Sequence, residues 1–131
     1  MNEVVSGASL RGREGAFRGV SIPIPVDGLT MGREAAGVDR LAFDAHSDVS
    51  RKHCSVRFDD ALRSFTVIDH GSSNGTFLLP QEERLPAHQG VACRSGQLIR
   101  VGHENIFELV ASRSHSARAA PNAANLSSTP S

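Results

Sequence analysis

Val49-Ser50-Arg51-Lys52-His53-Cys54 and, further on, Gly71-Ser72-Ser73-Asn74-Gly75-Thr76-Phe77 decide the reading of this chain. Both stretches are polar and loop-like, and they carry hydroxyls, a basic pair and an Asn-Gly turn signal. Between them lie two short runs, residues 54–58 and 65–69, in which apolar side chains alternate with polar ones. Alternation of period 2 is the mark of a half-buried strand. Two antiparallel strands that short return the chain to its starting end, so the two polar stretches are expected side by side. A third patch, Met31-Gly32-Arg33-Glu34, closes an earlier apolar run. The three loops together offer Arg33, Ser50, Arg51, Lys52, Ser73 and Asn74, with no acid at those six positions. Such donors suit a doubly charged oxyanion, and a phosphate group is the obvious one.

The same strand signals continue on both sides. Residues 10–25 read as a hairpin, with Gly12 and Gly15 flanking its turn and Val20, Ile22 and Ile24 alternating. Pro23 and Pro25 lack the N–H that a central ladder needs, which places the second strand at an edge. Short runs follow at 29–31, 41–43, 76–79, 91–94, 98–101 and 105–110, and residues 80–90 read as a polar loop. Ten or eleven short strands with a turn every 8–12 residues or so form the pattern of a β-sandwich, an all-β fold. Nothing in 10–110 holds a helical period, and residues 1–9 carry too little pattern to be more than a flexible N-terminus.

Composition shifts after Ala111. Residues 112–131 contain no acid, two Arg, many Ala and Ser, and Leu126 as the one apolar side chain larger than Ala. Such a segment buries too little surface to order itself, so a disordered tail is expected. The chain holds 14 basic and 14 acidic residues, and without the tail's Arg113 and Arg118 the remainder is slightly acidic. Anion affinity must then come from local geometry, not from net charge. Neither nucleic acid nor membrane is expected as a partner: there is no basic stripe, no Trp or Tyr for stacking, and no apolar run long enough to span a bilayer or act as a signal peptide. Two cysteines make no disulfide framework, and Cys54 falls in phase with Val56 and Phe58 as a buried thiol, so a cytoplasmic location is the default. Whether Cys54 could pair with Cys93 stays open.

Catalysis has little to rest on. Ser50 and His53 stand three apart, and side chains an odd number apart in an extended chain face opposite ways, so direct pairing needs a turn. No Gly-x-Ser-x-Gly segment is present. The six histidines show no spacing that joins them to Cys54 or Cys93 as metal ligands. The expectation is therefore a non-enzyme without metal or cofactor.

Taken singly, each motif has an ordinary reading: a turn with a surface cation, a loop serine beside a structural histidine, a hairpin turn. Taken in order, Gly32-Arg33, then Ser50-x-x-His53, then Ser72-Ser73-Asn74-Gly75-Thr76 resembles the signature of the forkhead-associated (FHA) domain family. The run from Asp69 to Phe77 and the later Gly96-Gln97-Leu98-Ile99-Arg100-Val101-Gly102 extend the resemblance, which covers about residues 10–110 and implies a domain over 10–111. It implies an eleven-stranded β-sandwich whose end loops bind phosphothreonine in a partner protein. Carried over residue by residue, it implies that Arg33 binds the phosphate, Ser50 gives it a hydroxyl hydrogen bond, and Arg51 adds a second contact. Ser73 would help line the phosphate site and Asn74 would hold the peptide main chain. Gly32, His53, Gly75 and Thr76 would support the site. Lys52 would raise the local potential. The family pattern does not fix Asp48; from its position two residues before Ser50 and its charge, it is expected to face the peptide and disfavour acidic residues downstream of the phosphothreonine. The implied partner is a phosphothreonine protein or a Ser/Thr kinase. The alternative is a scaffold of the same fold that binds a partner without phosphorylation. Thr129, in Ser127-Ser128-Thr129-Pro130, would be a self-ligand if phosphorylated.

Overall fold

The computed structural model describes residues 5–34 and 40–112. Eleven strands follow one another: β1 (Val5–Glu14), β2 (Ser21–Pro25), β3 (Leu29–Gly32), β4 (Arg40–Ala42), β5 (Cys54–Asp59), β6 (Ser64–Asp69), β7 (Thr76–Leu79), β8 (Glu83–Arg84), β9 (Val91–Cys93), β10 (Leu98–Val101) and β11 (Asn105–Ala111). They form a six-stranded sheet in the order β2-β1-β11-β10-β7-β8 and a five-stranded sheet in the order β4-β3-β5-β6-β9. Among the described residues there is no helix, and hence none long and apolar enough to cross a membrane.

The alternation read from the sequence fixes the inner faces. Cys54, Val56 and Phe58 of β5 are buried, as are Phe65 and Val67 of β6, while Arg57 faces out. Leu10, Ile99, Phe107 and Leu109 supply the opposing face, all fully buried. Each such side chain taken from water contributes about 1.5–3 kcal/mol. Phe58 and Phe65 meet across the β5–β6 pair with their rings tilted by 49° and their centroids 4.7 Å apart. Phe17, from the β1–β2 turn, packs on Phe43 and Phe107 and closes the core at the end where the polar loops gather. β2, with Pro23 and Pro25, lies at the sheet edge, where the missing N–H groups leave no ladder incomplete.

Three features depart from the sequence reading. β1 starts at Val5, ahead of the boundary expected at Leu10, because Ala8 and Ser9 pair with Ala111 and Val110 through main-chain bonds that need no apolar pattern. The polar stretch 80–90 contains a strand, β8, held by pairing of Phe77 with Arg84 and Leu78 with Glu83, and it buries Leu85. The segment after β6 is no hairpin turn, since β6 and β7 belong to different sheets and residues 70–75 carry the chain from one sheet to the other. The tail expected beyond Ala111 lies, apart from Ser112, outside the described residues.

Register brings the site together. Cys54 pairs with both Met31 and Asp69, so the end of β3, the start of β5 and the end of β6 are level. In the other sheet Thr76 pairs with Val101, which levels the start of β7 with the end of β10. A bond from Gly102 N–H to the Gly75 carbonyl, 2.9 Å, joins the β10–β11 turn to the same pole.

Candidate functional site

Four connecting segments meet at this pole: the start of the β3–β4 connection, the β4–β5 loop, the β6–β7 loop and the β10–β11 turn. The first two are pressed together at Gly32. A Cβ there would lie 1.9 Å from the Arg51 carbonyl oxygen, so only glycine allows the approach. Main-chain bonds from Arg33 N–H to the Ser50 carbonyl and from Glu34 N–H to the Arg51 carbonyl, each 3.1 Å, then zip the two segments. The Arg33 guanidinium lies along the β4–β5 loop, its Nε–H donating to the Val49 carbonyl at 2.5 Å. None of the ion pairs among the described residues involves Arg33, Arg51 or Lys52. Arg51 and Lys52 are exposed, and Arg33 is half-buried.

His53 is fully buried and joins two loops. Its Nδ1 accepts the Ser50 N–H at 3.0 Å, which leaves the ring proton on Nε2, 2.8 Å from the Gly75 carbonyl it donates to. Burial lowers its pKa below the usual histidine value, so the ring is neutral near pH 7. The Ser50 hydroxyl does not meet the imidazole at all. It accepts the Ser73 N–H at 3.0 Å, so Ser50 and His53 form no nucleophile–base pair.

The β6–β7 loop is shaped by a residue that the sequence reading named in the run from Asp69 to Phe77 but gave no role. Asp69 is buried, and its carboxylate accepts Gly71 N–H at 3.0 Å, Ser72 N–H at 2.9 Å, the Ser72 hydroxyl at 2.5 Å and the Thr76 hydroxyl at 2.7 Å. Burial opposes its charge, but the Ser72 and Thr76 hydrogen bonds outweigh it and hold the pKa below the usual carboxylate value. The signal was present: an aspartate with Gly two and Ser three positions on is an Asx-turn pattern. Gly75 sits at φ +86°, which the Asn-Gly pair anticipates. Thr76, expected as support, is fully buried against Asp69.

Asn74 extends its amide to the Asp48 carbonyl, Nδ2–H to O at 2.7 Å, which ties the β6–β7 loop to the β4–β5 loop. The Asp48 carboxylate is turned into the β10–β11 turn, where it accepts His103 N–H at 2.7 Å and lies 2.8 Å from His103 Nδ1. It therefore serves to anchor that turn. Ser73 is exposed beside Ser50. Arg84, which no motif marks, reaches from β8 to the carbonyls of Ser72 and Ser73 at 3.1 and 3.4 Å. Thr129 lies outside the described residues.

Arg33, Ser50, Arg51, Ser73 and Asn74 thus lie on loops tied to one another at this pole, with Lys52 next to Arg51 in the chain. Cations without a carboxylate partner among the described residues, hydroxyls and an amide on these end loops are hydrogen-bond donors of the kind a polar anionic group accepts from. The comparisons with known proteins narrow the class: the family model for the FHA domain matches residues 29–102, and the chain belongs to that family. An FHA domain of an Arabidopsis thaliana hypothetical protein superposes with a TM-score of 0.67 at 22% identity, covering 95% of this chain and 96% of that one. Mycobacterium tuberculosis EmbR in complex with a low-affinity phosphopeptide gives 0.62 at 24% identity, over 82% of this chain and 25% of EmbR. The MEK1 FHA domain in complex with a HOP1 phosphothreonine peptide gives 0.57 at 23% identity, over 80% of this chain and 98% of that one. At these identities the likeness speaks for the fold. No curated protein matches the chain significantly in sequence.

Proposed function

We propose that this domain is a phosphothreonine-dependent recognition module, a non-catalytic reader that binds a partner phosphorylated by a Ser/Thr kinase in the cytoplasm. The observation that carries the reading is the loop surface where Arg33 and Arg51, without a carboxylate partner among the described residues, stand with Ser50, Ser73 and Asn74. Arg33 takes the phosphate, the Ser50 hydroxyl and Ser73 line it, Arg51 adds a second charge, and Asn74 holds the peptide main chain. Relatives of the same fold hold a phosphopeptide and a phosphothreonine peptide, which supports the assignment.

The chemistry is of the right size. Phosphothreonine brings about −1.5 to −2 charges and three acceptor oxygens. Three charge-assisted hydrogen bonds at roughly 1.5–3 kcal/mol each give roughly 5–9 kcal/mol before ordering costs. Micromolar binding needs about 8 kcal/mol, so a few peptide contacts complete a reversible complex. The test is calorimetric titration with a phosphothreonine peptide library beside its phosphoserine and unphosphorylated versions. Binding confined to phosphothreonine supports the reading. Equal binding of all three moves the function to a phospho-independent scaffold.

A further inference from the structure

We infer that Arg84 is a positioning residue of the phosphate site, fixing the direction in which the β6–β7 loop presents its amides. The inference rests on the phosphopeptide reading for its functional meaning and on β8 for its geometry. Arg84 pairs with Phe77 in the β7–β8 ladder. Its guanidinium carbon lies 6.0 Å from the centre of the Phe77 ring, a cation–π distance. Its Nε passes over Gly75 so closely that a Cβ there would be 2.9 Å away. From this track, Nη2 donates to the carbonyls of Ser72 and Ser73 at 3.1 and 3.4 Å.

In a trans peptide the N–H points opposite to the C=O of the same unit. By holding the Ser72 carbonyl, Arg84 turns the Ser73 N–H the other way, and there it meets Ser50 Oγ at 3.0 Å. By drawing the Ser73 carbonyl the same way, it turns the Asn74 N–H outward as well, and that N–H makes no hydrogen bond to another described residue. A flipped unit would instead present a carbonyl oxygen, an acceptor, to an incoming phosphate. Arg84 thus keeps the Ser72 and Ser73 carbonyl oxygens off the ligand side, with the Ser73 N–H bonded to Ser50 and the Asn74 N–H left as a donor. Its charge also adds to the potential around Ser73.

Arg84→Gln and Arg84→Lys test this in the full chain, by titration with the best phosphothreonine peptide from the library and by amide hydrogen exchange. Arg84→Gln is expected to weaken phosphopeptide binding about tenfold or more, the loss of one charge-assisted bond. Ser73 N–H exchange should accelerate, with exchange in β5 and β10 unchanged. Arg84→Lys keeps the charge without the planar fork and should recover part of the affinity. A folded Arg84→Gln protein with wild-type affinity and wild-type Ser73 exchange overturns the inference. Should the wild type bind no phosphopeptide, the functional reading fails by itself, and the exchange arm still decides whether Arg84 sets the loop.

Discussion

His53 Nε2 donates to the carbonyl of Gly75 across 2.8 Å, and the same ring accepts the Ser50 N–H, so one buried imidazole holds the β4–β5 and β6–β7 loops together. His53→Ala removes both bonds and leaves a cavity, and it should destabilise the domain by about 2–4 kcal/mol in urea unfolding. Phosphopeptide affinity should fall with it, because Ser50 and Ser73 lose their common frame. A change in urea midpoint within error of zero would contradict this role.

Stability should also depend on pH through the same ring. Folded His53 has a lowered pKa, and His70 is lowered too, in both cases chiefly by burial. The unfolded chain takes up protons near the ordinary value of about 6.5, where the folded state does not. The stabilisation is therefore fully present above that value and declines as the pH drops below it toward the folded pKa. Urea midpoints measured from pH 7.5 down to 5 should decrease, and His53→Ala should show a shallower decline. The lowered pKa of Asp69 acts only further down, below the ordinary value of about 3.9.

Asp69→Asn should cost about 2–4 kcal/mol despite its nearly identical shape. The carboxylate accepts four hydrogen bonds, and an amide sets its own N–H groups against donors that include the Thr76 and Ser72 hydroxyls. Thermal unfolding and phosphopeptide titration of the variant check it together, and loss of both is expected.

Much of this was legible beforehand. Period-2 alternation placed Cys54, Val56, Phe58, Phe65 and Val67 on the inner face, and the Pro pair put β2 at an edge. Arg33, Ser50, Ser73 and Asn74 came from short motifs whose order in the chain matches their convergence in space. The role of Asp69 escaped although its Asx-turn pattern was there; the rest of what escaped had no local pattern. The start of β1 and all of β8 exist through cross-strand pairing. The reach of Arg84 to Ser72 depends on a chain reversal that residues 80–90 do not announce. The Asp48 carboxylate, read as facing the peptide, is taken by His103, 55 residues away in sequence.

Gly32→Ala and Gly19→Ala should separate close approach from backbone conformation. At Gly32 a Cβ meets the Arg51 carbonyl oxygen, so the two loops must part, at a cost of about 1–3 kcal/mol and with loss of phosphopeptide binding. At Gly19, φ is +83° with nothing within 4 Å, so alanine costs about 1–2 kcal/mol and leaves binding as in wild type. Equal binding by both variants would contradict the role given to Gly32.

Both thiols should be silent in the native protein. Cys54 is fully buried with its pKa pushed up to about 12, and burial raises that of Cys93 as well. A chromogenic disulfide reagent at pH 8 should label neither until denaturant is added, when both react. Rapid labelling of the native protein would contradict this, and one label alone would point to Cys93 on the edge strand β9.

The central claim is met most directly by titrating wild type and Arg33→Ala with a phosphothreonine peptide and its unphosphorylated twin. The account predicts that wild type binds the phosphopeptide alone and that Arg33→Ala loses about 2–5 kcal/mol of that binding with its fold intact. Unchanged affinity in Arg33→Ala, or equal binding of both peptides by wild type, would contradict it.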